Sequence, residues 1–164
     1  NLGGDDFPYM HFEEVEGDQL TIELMLKGGG CENVGRQYSL PDNSLGAGRD
    51  LTGVRKVVLD AVHKAQGQGC APGILGVAIG GDRGSSYIKS NEDPKLAALE
   101  EQLTKESNEM GIGPMGFGGQ TTVLDTKITG LSRLPASYFV SVSYMCWAYR
   151  RRKMTVRGEE VVYD

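Results

Sequence analysis

Between Asp50 and Gly81 the chain reads DLTGVRKVVLDAVHKAQGQGCAPGILGVAIGG, and the two halves of this stretch follow different hydrophobic patterns. In the first half Leu51, Val54, Val58, Ala61, Val62 and Ala65 recur at three- and four-residue steps, with Arg55 and Lys56 off that face. This spacing predicts an amphipathic helix over 50–66. Asp50 is placed to cap its first turn, and Gly67 and Gly69 supply the stop. In the second half Ile74 to Ile79 is a short, nearly continuous apolar run, the pattern of a buried strand. A helix feeding a buried strand through a glycine-rich joint makes the class mixed α/β (α+β), with sheet flanked by helices.

The flanking segments extend this pattern. On the N-terminal side, Tyr9 to Val15 and Leu20 to Lys27 are rich in strand formers and flank the turn signal Glu16-Gly17-Asp18, which predicts a hairpin. Thr21, Glu23 and Met25 alternate with Ile22, Leu24 and Leu26, so one face of the second strand is expected to be buried. Gly35 to Gly48 reads as polar, turn-rich loop. On the C-terminal side, Gly80 to Ser86 is a tight polar loop, and Pro94 opens a second helix with Leu96, Leu99 and Leu103 on one face and Gly111 beyond its end. Met110 to Gln120 is another glycine loop. Strands are expected at Thr121–Thr129 and Tyr138–Met145, then a terminal hairpin around Arg157-Gly158-Glu159-Glu160. No internal repeat or clean boundary divides the chain, so residues 1–164 read as one domain. The start at Asn1, running directly into strand-like sequence, reads as a piece of a longer polypeptide.

Composition narrows the functional classes. Lys plus Arg is 17 and Asp plus Glu is 22, a net charge of −5, which argues against a nucleic-acid binder with its basic footprint. No apolar run approaches the roughly 20 residues of a membrane span. Glycine is the outlier, with 24 residues clustered in loops instead of repeating. Three cysteines, Cys31, Cys70 and Cys146, are widely separated. Close C-x2-C pairs are absent and the count is odd, so neither a zinc site nor a disulfide framework is indicated. Buried free thiols, or ligands for a cofactor that gathers distant segments, remain, and a cytoplasmic, reducing environment fits both.

Three local constellations carry possible chemistry. In Lys27-Gly28-Gly29-Gly30-Cys31-Glu32-Asn33 the glycines can present backbone N–H groups to an anion, and the plain alternative is a flexible turn. Cys70, in Gly69-Cys70-Ala71-Pro72-Gly73, joins the long helix to the buried strand, where a lone cysteine is ordinarily a core residue. Cys146 precedes Trp147-Ala148-Tyr149-Arg150-Arg151-Arg152, and its ordinary role is also packing. The arginine run is a solvated basic face, or a means of pairing with carboxylates. His11 and His63 are the only histidines and no G-x-S-x-G elbow is present, so nucleophilic catalysis is poorly supported and no acid/base residue is assigned.

Taken in order, four segments resemble the iron–sulfur-dependent class I fumarase and tartrate dehydratase family. They are Lys27 to Asn33, then Cys70-Ala71-Pro72 with Gly76 to Gly81, then Gly111-Ile112-Gly113 through Gly118-Gly119, and Arg133-Leu134-Pro135-Ala136-Ser137 leading to Cys146. The resemblance spans nearly the whole chain. It implies a hydro-lyase that adds or removes water on a four-carbon dicarboxylate, such as fumarate/malate of the tricarboxylic acid cycle, or tartrate. It implies a 4Fe–4S cluster held by three cysteines, with one iron open to substrate. Cys70 and Cys146 match two of those ligands, and the third lies upstream of this chain. Gly28, Gly29 and Gly30 match the loop close to substrate, with the Gly-rich loops converging on the cofactor site.

Two positions depart from the family pattern. Cys31 stands where members usually carry Ser. Leu134 follows Arg133 where many carry a His that helps bind or protonate substrate, a role leucine cannot take. The resemblance also implies a beta subunit or C-terminal domain that completes the site, in a homodimer or an α2β2 assembly. This piece alone is then expected to be inactive. The alternative is a non-catalytic structural or assembly subunit of the same descent that has lost its cluster.

Overall fold

The structure is a computed structural model that describes residues 10–81, 94–133 and 136–164. It divides into two compact units, Leu26–Arg150 and a smaller one formed by Asn1–Met25 with Arg151–Asp164. The chain is mixed α+β, as its hydrophobic periods predict.

The larger unit is built on a four-stranded sheet. Its strands are β2 (Arg36–Ser39), β3 (Gly73–Gly81), β4 (Val123–Arg133) and β5 (Phe139–Cys146), in the order β2-β5-β3-β4. The β3–β4 pair is parallel and the other two pairs are antiparallel. The helices are α1 (Leu51–Ala65), between β2 and β3, and α2 (Ala97–Glu109), between β3 and β4. A parallel pair needs such a crossover, and α2 supplies it.

Helix α1 starts where the Asp50 carboxylate accepts the Gly53 N–H at 2.7 Å and stops where Gln66 turns left-handed. Its Val54, Val57, Val58, Ala61, Val62 and Ala65 are buried. They belong to one apolar core with Leu75, Val77 and Ile79 of β3 and Val140, Val142 and Tyr144 of β5. Val57 joins this face, whereas Leu51, expected on it, is exposed. Leu96 and Leu103 at the second helix are buried as expected.

Three expectations need correction. The segment Gly35–Gly48 contains β2. This edge strand reads as polar because its polar side chains are used on both faces: Gln37 donates to Ser141 Oγ at 2.8 Å and Tyr38 to Asp60 at 2.7 Å. In the smaller unit, β1 (Gln19–Leu26), β6 (Arg150–Arg157) and β7 (Glu160–Tyr163) form a sheet in the order β1-β6-β7. Residues 10–15 form no strand, and Tyr9 lies outside the described residues. The partner of β1 is therefore distant in sequence. Charge favours that choice, since Glu23 faces Arg151 at 3.3 Å and Lys153 at 3.9 Å, while Glu13 and Glu14 offer it nothing. Every residue of β1 is exposed, so neither of its faces is buried. The terminal hairpin forms as predicted, with Arg157 opposite Glu160.

Candidate active site

The segments carrying the three cysteines meet at one end of the four-stranded sheet. β3 begins at Gly73 and β5 ends at Cys146, and these two residues face each other in register. Strand alternation puts Cys146 on the same side as Val140, Val142 and Tyr144, the side that packs against the helices. It is buried, as its ordinary reading predicts.

Cys70, three residues before Gly73, is exposed, which overturns its ordinary reading as a core residue. Its φ of 64° is left-handed, a conformation that costs a non-glycine residue about 1 kcal/mol. The joint around it is tightly packed. A Cβ at Gly67 would lie 2.1 Å from Gly116 N, so here two backbones cross with no room for a side chain. The Met115 N–H donates to Ala71 O at 3.1 Å, tying the Gly111–Gly119 loop to the residue after Cys70.

The glycine loop abuts the same joint. Gly28 to Gly30 are exposed and lead into a 3-10 turn, Gly29–Val34, that packs on β5. A Cβ at Gly28, Gly29 or Gly30 would meet nothing within 4 Å, so nothing in the described structure fills the space over this backbone. Cys31 is buried, and its thiol donates to Gly28 O at 2.9 Å. Lys27 Nζ lies 3.8 Å from that sulfur and forms an ion pair with Glu32. Burial works against the Lys27 ammonium, but the hydrogen bond and charge of Glu32, with the hydrogen bond to Cys31, outweigh it, so its pKa is raised. A Cβ at Gly69 would lie 2.8 Å from Val34 Cγ2 and 3.5 Å from Cys31 Cα. The absence of a side chain at Gly69 lets the cysteine joint and the glycine turn touch.

Sequence reasoning passed over Gly69 as a helix stop and did not single out Tyr144. The Tyr144 ring covers Gly73, where a Cβ would lie 2.4 Å from Cε1. Its hydroxyl donates to Thr122 O at 3.0 Å. Burial pushes its pKa up to about 12, opposed by the Gly73 N–H and reinforced by Cys70. The spacing that could have revealed it is Tyr144-x-Cys146, two residues on one face of a strand.

Other predicted positions lie elsewhere. Arg133 pairs with Gly81, at the far end of β3, eight residues and about 26 Å from Gly73. Its guanidinium donates to Ser137 O at 3.1 Å and lies 5.9 Å over the Tyr138 ring. Leu134 and Pro135, like Asp82 to Ser86, lie outside the described residues. Arg150 and Arg152 donate to backbone carbonyls of their own segment, and Arg151 pairs with Glu23. His11 and His63 are exposed. All three thiols are free, and among the described residues no three of His, Cys, Asp and Glu are grouped to hold a metal ion. No described helix is long and apolar enough to cross a membrane.

Comparisons with known proteins identify the family. A family model described as fumarate hydratase (Fumerase) matches residues 2–155, and the chain belongs to this family. It is 49% identical over 162 aligned residues to a Geobacillus stearothermophilus protein assigned as a class I fumarate hydratase, covering 90% of this chain and 32% of that protein. It is 30% identical to the L(+)-tartrate dehydratase subunit alpha of Escherichia coli strain UTI89 and 29% to that of strain K12. Each of these alignments covers 95% of this chain and 54% of the relative. The chain thus spans between 32% and 54% of the length of these curated relatives.

Proposed function

We propose that this chain is part of the cluster-binding portion of a hydro-lyase that adds or removes water reversibly on a four-carbon dicarboxylate such as fumarate, malate or tartrate. The observation that carries the reading is the meeting of Cys70 and Cys146, both free, with the open Gly28–Gly30 backbone at one end of one sheet. Family membership supports the reaction class.

The donor chemistry fits an iron–sulfur cluster. Thiolates are the natural ligands for it. Cys70 is exposed on a left-handed backbone, and Cys146 ends β5 opposite Gly73, three residues on from Cys70. These two would hold it, with a third thiolate supplied from outside these 164 residues. When bound, the cluster supplies a Lewis-acidic iron that polarises a hydroxyl or carboxylate oxygen and aids C–O cleavage. The chain's own contribution is placement. Gly28 to Gly30 offer backbone that a dicarboxylate can approach without meeting a side chain, beside the Lys27–Glu32 ion pair. The acid/base groups belong to the remainder of the enzyme, a beta subunit or C-terminal domain. The name of the Escherichia coli relatives, a subunit alpha, supports such a partner.

The test is iron and sulfide content of the intact polypeptide, reconstituted without oxygen, with Cys70→Ser, Cys146→Ser and Cys31→Ser beside it. The expected result is loss of the cluster in the first two and retention in Cys31→Ser, together with turnover of fumarate, tartrate or mesaconate by the wild type. Failure of any cluster to form would replace this reading with a structural subunit of the same family.

A further inference from the structure

The glycine turn and the cysteine joint touch through Cys31. Its sulfur lies 2.9 Å from Gly28 O, its Cα lies 3.5 Å from where a Gly69 Cβ would sit, and it is only 3% exposed. We infer that Cys31 is a positioning residue: its thiol holds the Gly28 carbonyl and its backbone seats against Gly69, setting the Gly28–Gly30 backbone relative to Cys70. What that loop holds rests on the hydro-lyase reading above. The positioning itself rests on geometry alone.

The chemistry separates this role from that of a metal ligand. A thiol can hold a carbonyl only with its proton, and a cluster ligand gives that proton up, so Cys31 cannot close on Gly28 and bind iron at the same time. Cys31 spends its one donor on Gly28, so its sulfur closes the turn. Lys27 Nζ, 3.8 Å away, approaches the sulfur with its own donors and is itself held by Glu32. The short segment Lys27–Glu32 is thereby cross-braced by two side-chain contacts and an ion pair. Three consecutive glycines need such bracing, because they lose more conformational freedom on ordering than any other residues. A serine hydroxyl at position 31 offers a donor in nearly the same place, whereas alanine and valine offer none.

The experiment uses the intact polypeptide, reconstituted without oxygen, with Cys31→Ser, Cys31→Ala and Cys31→Val. Valine guards against collapse of the space that alanine leaves. The readouts are amide hydrogen exchange over residues 28–30, KM and kcat with fumarate, and iron content. The two variants without a donor are expected to exchange faster over 28–30 and to raise KM about fivefold, the loss of one hydrogen bond of ordinary strength. Their kcat and iron content are expected to stay at wild-type values, and Cys31→Ser should restore both exchange and KM. Loss of iron in every Cys31 variant would make Cys31 a ligand and overturn the inference. Unchanged exchange in both Cys31→Ala and Cys31→Val would overturn it as well. If the wild type turns over no dicarboxylate, the hydro-lyase reading falls while the exchange measurement still decides the role of Cys31.

Discussion

Tyr144 shows how one side chain at the candidate site couples stability to pH. Its hydroxyl needs its proton to donate to Thr122 O, and burial raises its pKa to about 12, against about 10 for an unperturbed tyrosine. A group whose folded-state pKa is raised contributes stability in full below the unfolded value and loses it as pH climbs through the folded one. The window is therefore about pH 10 to 12. Tyr144→Phe leaves the Thr122 carbonyl with the Gly73 N–H as its remaining donor and is expected to cost about 1 kcal/mol at pH 8. Denaturant titrations from pH 8 to 12 should show the gap between wild type and variant closing above pH 10. A gap that stays constant across that range would mean the hydroxyl does not couple to folding.

At the scale of elements, two kinds of glycine can be told apart. Gly67 has φ 74° and its backbone crosses that of Gly116, so Gly67→Ala is expected to destabilise the chain by about 3 kcal/mol or more, through both strain and overlap. Gly28 has φ −71° and open space over it, so Gly28→Ala should leave stability within about 0.5 kcal/mol. In the intact enzyme the same Gly28→Ala should raise KM, since a methyl group would stand where substrate is proposed to lie. Equal melting temperatures for Gly67→Ala and Gly28→Ala would defeat this distinction. Sequence reading found the glycine clusters but could not sort them, because the sorting depends on what lies opposite in space. The elements with strong internal periods, α1 and β3, were legible from residues 50–81 alone. β2 was not, because an edge strand satisfied by Ser141 and Asp60 has no apolar alternation to betray it. The exposure of Cys70 was hidden for a related reason. Nothing in Gly67-Gln68-Gly69-Cys70 announces that Gly116 and Met115 will pack against Gly67 and Ala71 on either side of the thiol.

Across the whole molecule, order along the chain does not reveal which ends of the strands coincide. Four motifs in sequence order suggested one site; a part of each lies at the start of β3, while Gly81 and Arg133 lie together at its far end. The first hairpin failed similarly, because β1 pairs across more than a hundred residues with β6. The consequence is an uneven distribution of stability. In Leu26–Arg150, β3 and β5 are central strands covered by an apolar core that includes α1. In the smaller unit none of the described residues is buried, and Leu20, Ile22 and Leu24 of β1 remain 57%, 46% and 49% exposed. A three-stranded sheet without a covered face gains little from apolar burial. Its hydrogen bonds should therefore open with a free energy far below that of the larger unit. Native-state amide exchange on the 164-residue chain is expected to show β1, β6 and β7 exchanging at least a hundredfold faster than the β3 and β5 amides, an opening difference of about 2.7 kcal/mol or more. Denaturant at concentrations well below the global midpoint should leave those rates in the smaller sheet nearly unchanged, because local opening exposes little new surface. Protection of β1 equal to that of β3 would show that the smaller sheet is buried by an association of the chain in solution, and that the two units unfold as one.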